Sequence, residues 1–262
     1  MSRSIPKNIR IYIDGYDMSG YARSVGPLTQ TYEEGTDDAL SLSVKRTWPG
    51  QASVGIGTVN ALFDNTATSG IHAVLGTAGG TRTVLVAMGM EAAPVDNVPC
   101  FGGKFIQSDY VSAPSETPVA LTLTFNSTSA TTETSLYSNP WGVLLHASAA
   151  ATDANTATGH DGAAQSLVGG FMVYHVTTAA GTGDITATLK VQDADTNSDG
   201  SFSDLLTSGV INCGSSGVAV PTSGIVALAP TATVERYTRW QIVLGTASSV
   251  TFTLGFFRNY HN

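Results

Sequence analysis

The chain has 262 residues, 42% of them hydrophobic and 12% charged, with a net charge of −8 from 12 basic and 20 acidic side chains. That length supports one large β domain or two of ordinary size, and the apolar fraction is ample for a core. Residues 1–50 carry six charges of each sign, 51–150 two basic against six acidic, and 151–262 four against eight. With no basic stripe, tight binding to a phosphate backbone is not expected.

Ile9, Ile11 and Ile13 share one face of a strand, and Asn8, Arg10, Tyr12 and Asp14 share the other. Gly15, Ser19 and Gly20 mark a turn, and a second β-type run spans about Ser24 to Glu34. Alternation then stops until Ala52, Val54 and Ile56. The crossing between, Glu34 to Gly50, reads as a long loop of the kind that does work. It holds Asp37 and Asp38 at one end, Lys45 and Arg46 at the other, and Trp48 beside Pro49-Gly50. Opposite charges with an aromatic anchor suit a contact arm reaching a neighbouring copy, and a solvated excursion is the alternative. Asn65 to Gly76 carries the best helix signal: Asn65 or Thr66 to cap, Ile71, Val74 and Leu75 at helical spacing, and Gly76 to stop.

Strands dominate the rest. Thr83 to Met90 is an apolar run, and Val98 to Val111 holds one or two strands broken at Gly102-Gly103. Val119, Leu121, Leu123 and Phe125 alternate with Ala120, Thr122, Thr124 and Asn126. Leu121, Leu123 and Phe125 are expected in the core, and Thr122, Thr124 and Asn126 on a wet face. Ser127 to Glu133 is the best candidate boundary, and a second low-complexity piece follows the strand-like Trp141 to His146. Beyond Leu167 the pattern returns, with Ile185, Ala187, Leu189 and Val191, then Trp240, Ile242 and Leu244, then Val250, Phe252, Leu254 and Phe256 as inward rows. The fold class is all-β, a sandwich or barrel with one short flanking helix plus a second β-sandwich. The division falls at 1–128 and 135–262, with one domain and a long insertion as the alternative.

No catalytic constellation is present: no Walker loop, no Gly-x-Ser-x-Gly elbow, no His-Glu-x-x-His. The chain therefore reads as non-enzymatic and without a cofactor. His72, His146, His160, His175 and His261 are scattered, and Cys100 and Cys213 have no metal or redox spacing and read as buried free thiols. Asp195, Asn197 and Asp199, followed by Gly200, match the first half of a calcium loop, but Leu206 stands where the twelfth-position carboxylate belongs. An acidic hairpin turn is the other reading, with no metal. The N-terminus lacks an apolar signal core and no run approaches the length of a membrane helix, so synthesis in a cytoplasm and no membrane insertion are expected.

IRIYIDGYDMSGY, VKRTWPGQASVGIGTVNALFD and FGGKFIQSDYVSAPSETPVALTLTF together resemble the major tail tube proteins of long-tailed, siphovirus-type bacteriophages over most of residues 5–126. VQDADTNSDGSFSDL and VERYTRWQIVLG are similar in style to β-sandwich modules of discoidin or lectin-like type, which follow the tube domain in some of those proteins. The resemblance implies a structural virion protein of the tail, assembled in the host cytoplasm. Its copies would form stacked hexameric rings, with the long arm reaching the next ring. Its further partners would be the terminator, tape measure and distal tail proteins, and viral DNA would pass through transiently. A net-negative lining would let DNA slide. Two alternatives stay open. One is a glycan-binding sandwich, which calls for exposed aromatics such as Trp141 or Tyr174 in a concave site. The other is a capsid cement protein.

Overall fold

The computed structural model describes residues 8–37, 46–115, 118–127 and 139–259, and for 36, 37 and 46–51 the backbone alone. In chain order the first half holds β1 (Ile9–Ile13), β2 (Tyr16–Asp17), β3 (Ala22–Ser24), β4 (Leu28–Asp37), β5 (Arg46–Leu62), helix α1 (Ile71–Leu75), β6 (Thr81–Met88), β7 (Pro99–Ala113) and β8 (Ala120–Ser127). The second half holds β9 (Trp141–Ala151), β10 (His160–Asp161), β11 (Gly170–Gly181), β12 (Asp184–Ala194), β13 (Ser203–Thr207), β14 (Ile211–Ser215), β15 (Val218–Ala219), β16 (Thr222–Ala227), β17 (Tyr237–Leu244) and β18 (Ala247–Arg258). The fold is all-β, and the strands pair antiparallel among the described residues.

Burial of the alternating rows builds the first core. Ile11, Ile13, Val84, Val86, Phe101 and Phe105 on one side meet Ile56, Val59, Leu121, Leu123 and Phe125 on the other, with Ile71 and Leu75 of α1 closing the end. The expected core row of β8 is fully buried, and its alternates Thr122 and Thr124 are half-exposed. The helix is shorter than its sequence signal. Asn65 and Thr66 do not cap it, because the Asp64 carboxylate accepts the Thr66 N–H at 2.6 Å and commits that stretch to a turn. Gly70 takes the cap position without a side-chain bond, and Gly76 ends the helix as expected.

In the second half, β9, β18, β11 and β16 run side by side and face a second sheet of β10, β17, β12, β14 and β15 in that order, with β13 also on β12. Between the sheets Met172, Val176, Phe252, Leu254 and Phe256 pack on Ile185, Leu189, Val191 and Ile242. This is the sandwich the inward rows pointed to. Each half thus has its own core. The first sheet nevertheless runs across the division, because β7 pairs β9 from Pro99↔Val143 to Phe101↔Trp141.

That continuous path, β16-β11-β18-β9-β7-β6-β1-β2, curls on itself around a third cluster of Tyr12, Leu85, Ala87, Cys100, Leu144, Phe171, Val173 and Phe257. Strands β1, β6 and β11 are consequently buried on both faces, so Tyr12, on the polar-looking face of β1, is only 3% exposed. Gly102 lies inside the curl, where an added Cβ would come within 3.0 Å of Leu85 and 3.1 Å of the Phe257 ring. The two ends of the path meet at a seam. Asp14 and Gly15, with φ of 49° and 90°, form the two-residue β1–β2 turn. A Cβ on Gly15 would lie 2.3 Å from the backbone nitrogen of Thr222 on β16. Across the seam the Gly15 N–H donates to His175 Nδ1 at 3.1 Å, while His175 Nε2 is buried without a partner.

Candidate assembly interface

The segment read as a loop, Glu34 to Gly50, is strand on both flanks. β4 pairs β5 from Leu28↔Ile56 out to Asp37↔Arg46, with a bulge between Tyr32 and Glu34. β5 also pairs β8, but that ladder stops at Gly55↔Asn126. Residues 31–37 and 46–53 therefore form a two-stranded ribbon with no third strand among the described residues, reaching about 23 Å at ~3.3 Å per residue. Sequence alternation disappears there because, among the described residues, no sheet or helix lies over the ribbon to impose a core side. At its root Thr29 Oγ1 donates to the Gly55 carbonyl at 3.2 Å and the Gln30 amide donates to the Tyr32 hydroxyl at 2.9 Å. Further out Thr31, Glu33, Glu34 and Ser53 are exposed.

Of the proposed arm residues, Asp37 and Arg46 stand opposite one another in register, and Trp48 stands opposite Gly35. Asp38 and Lys45 lie outside the described residues. A two-stranded hairpin is marginal in water by itself, and among the described residues β4 pairs with β5 and no further strand, which makes it an edge strand.

Next to the ribbon, the outward-facing side chains of β8 itself are uncharged. Thr122 sits beside Asn60 of β5 and Val111 of β7, and Thr124 beside Asp109. Asn60 donates to the Ser24 hydroxyl at 2.8 Å. Asn126 ends the row exposed. A short apolar groove of about 290 Å³, lined by Ile9, Val25, Leu28, Val86, Met88 and Trp141, lies where β4 begins.

The half calcium motif is used internally. Asn197 Oδ1 accepts the Gly159 N–H at 2.8 Å, and Asp199 Oδ1 accepts from Arg239 at 2.5 Å. The Arg239 guanidinium lies 4.2 Å from the Phe202 ring centroid and also bonds Gln192 and the Ala157 carbonyl. Asp195 is exposed. Among the described residues no group of three His, Cys, Asp or Glu side chains is placed to hold a metal ion. Asp193, by contrast, is buried, accepts the Glu235 N–H at 2.8 Å, and has its carboxyl pushed up by desolvation.

Cys100 and Cys213 are free and buried as read, and desolvation raises both thiols. Of the two aromatics a glycan site called for, Tyr174 is buried at 8% exposure, because β11 is covered on both faces. Trp141 is half-exposed and lines a groove. No helix among the described residues is long and apolar enough to cross a membrane.

No family model matches the chain, and no curated protein matches it. Among solved structures it is similar to the Dit protein (gp 19.1) of SPP1, described as a paradigm of the hub adsorption apparatus in phages infecting Gram-positive hosts. That similarity covers 94% of this chain and 98% of the other at 11% identity, with a TM-score of 0.30.

Proposed function

We propose that the chain is a structural subunit of a bacteriophage tail, the major tail tube protein, whose copies close into hexameric rings that stack into a DNA-conducting tube. The observation that carries this reading is the β4–β5 ribbon, a marginal hairpin leaving the body with no third strand beside it among the described residues. Such an element gains its stability from a partner, and the neighbouring copy supplies one at every ring-to-ring junction. Asp37, Asp38, Lys45, Arg46 and Trp48 would make that contact. The resemblance of residues 5–126 to tail tube proteins supports the same assignment, as do the low charge content and the acidic balance, which would let DNA pass without gripping its phosphates. The polar face carrying Thr122, Thr124 and Asn126 would look into the channel or a subunit seam. The role needs no catalytic group and no cofactor. In the virion, the terminator, tape measure and distal tail proteins would contact the ends and the interior of the tube.

The test is removal of the ribbon tip. Deleting residues 37–47 leaves the first core untouched, so the variant is expected to fold, with an unchanged far-ultraviolet spectrum, and to form no long tubes by electron microscopy. Tubes of normal length from the deletion would overturn the assignment of the ribbon.

A further inference from the structure

The curl of the first sheet closes without a ladder. Its path ends in β2 on one side and β16 on the other, and among the described residues these two strands pair inward, β2 with β1 and β16 with β11, and not with each other. The register of β11 sets His175 opposite Ser223 of β16 and Thr253 of β18. Across the seam its Nδ1 accepts the Gly15 N–H at 3.1 Å, joining residues 160 apart in the chain. The side chain is fully buried and Nε2 has no partner. This contact depends on the protonation state of the ring, because only an unprotonated Nδ1 can accept.

The groups around His175 give a proton no compensation. From β1 comes Tyr12, 6.1 Å away between ring centroids, whose hydroxyl is pushed up to about 12, chiefly by burial, and stays neutral between the charges of Asp17 and Arg10. From the β1–β2 turn comes Asp14, whose carboxylate is taken by the Arg82 guanidinium of β6 at 3.1 Å and by the Thr83 N–H at 2.9 Å. Asp17 of β2 accepts the Ser19 N–H. Cys100 of β7 is a thiol that burial keeps protonated. The His146 ring of β9 lies against Trp240 and Phe252 in the second core. β16 has no charged side chain, and β18 has Arg258 alone, at its far end. A protonated His175 would therefore point an N–H at the Gly15 N–H and carry a buried charge with no counter-ion.

A curled sheet opens at least cost where no ladder holds it, and a local opening needs less free energy than loss of a whole core. We propose that the seam is an acid-sensitive gate: on acidification the His175–Gly15 bond breaks, the β1–β2 turn and β2 swing off β16, and the third cluster is uncovered while the two sandwich cores stay closed. Tyr12 and Cys100, 3% and 0% exposed in the closed form, become accessible. Desolvation holds the closed imidazole down to about 3, so the open form takes up the proton first. The open population then grows about tenfold for each pH unit below the ordinary imidazole value. The gate is independent of the ribbon and of the tube reading.

The test uses the full chain and its two free thiols, Cys100 in the third cluster and Cys213 in the second core. Both are labelled with a dipyridyl disulfide, which reacts with thiols in acid, and read separately by peptide mass spectrometry at pH 7 and pH 5. Cys213 reports opening of the second core and corrects for the reagent's own pH dependence. The ratio of Cys100 to Cys213 labelling rates is expected to rise about tenfold or more in wild type as the pH falls. In His175→Gln, which keeps an acceptor and does not titrate, the ratio should stay flat. An unchanged ratio in wild type, or the same rise in His175→Gln, would overturn the gate. A second readout needs no variant. Amide hydrogen exchange, corrected for its intrinsic pH dependence, should lose protection at Gly15 relative to the amides of β12 over the same interval, and unchanged relative protection would also overturn it.

Discussion

Lowering the pH from 7 to 5 strikes one group at the seam with particular force. His175 is fully buried, and desolvation pushes its imidazole from the ordinary 6.5 down to about 3. Its Nδ1 must stay unprotonated to accept the Gly15 N–H. The nearby ionisable ring is Tyr12, 6.1 Å away centroid to centroid, and no carboxylate compensates. With the folded value below the unfolded one, the unfolded chain binds the extra proton. Stability from this group is complete above pH 6.5 and is lost as the pH falls toward 3. At 1.36 kcal/mol per unit, the loss between pH 7 and pH 5 is about 2 kcal/mol. His146 and His160 are also held low by burial and act in the same direction, so a comparison isolates the seam. His175→Gln keeps an acceptor for the Gly15 N–H but does not titrate. In urea unfolding at the two pH values, wild type should lose about 2 kcal/mol more than His175→Gln. Equal losses in the two proteins would refute a buried neutral His175.

Other perturbations test separate parts of the structure. Gly15→Ala forces a side chain into a left-handed backbone and against Thr222, and should cost about 2–4 kcal/mol in chemical denaturation. Arg239, which is 5% exposed and bonded to Gln192, Ala157 and Asp199, should cost about 2 kcal/mol as Arg239→Met. Arg236→Ala, in an exposed pair with Asp161, should leave the denaturation midpoint close to that of wild type. Leu123→Ala should lose about 2–5 kcal/mol, whereas Thr122→Lys should fold normally. In virions the Thr122→Lys ring should slow DNA ejection at low salt and relax toward the normal rate at high salt; ejection at the normal rate in low salt would remove Thr122 from the channel.

What the sequence made legible follows from burial on one face. Leu121, Leu123 and Phe125, or Ile185, Ala187, Leu189 and Val191, each have one covered side, and the pleat writes that into the chain as alternation. Where burial is two-sided the signal is lost. Tyr12 shares a face with Arg10 and Asp14 yet fills the third cluster, and Tyr174 sits in a run from Gly170 to Val176 that is buried throughout. Where burial is absent the signal is lost as well, and the β4–β5 ribbon read as a loop for that reason. The opposite charges at its ends were a usable clue, since Asp37 and Arg46 prove to be cross-strand partners. Trp141 was legible as an aromatic in a concave site, whereas the rest of its groove, with Asn97, Val143 and His160, comes from separate segments and from both sheets.

Electron microscopy of the purified full chain at increasing concentration tests the central claim most directly. The account predicts rings or tubes with six-fold symmetry whose ring-to-ring contacts include the β4–β5 ribbon. A chain that stays a monodisperse monomer at every concentration would contradict it.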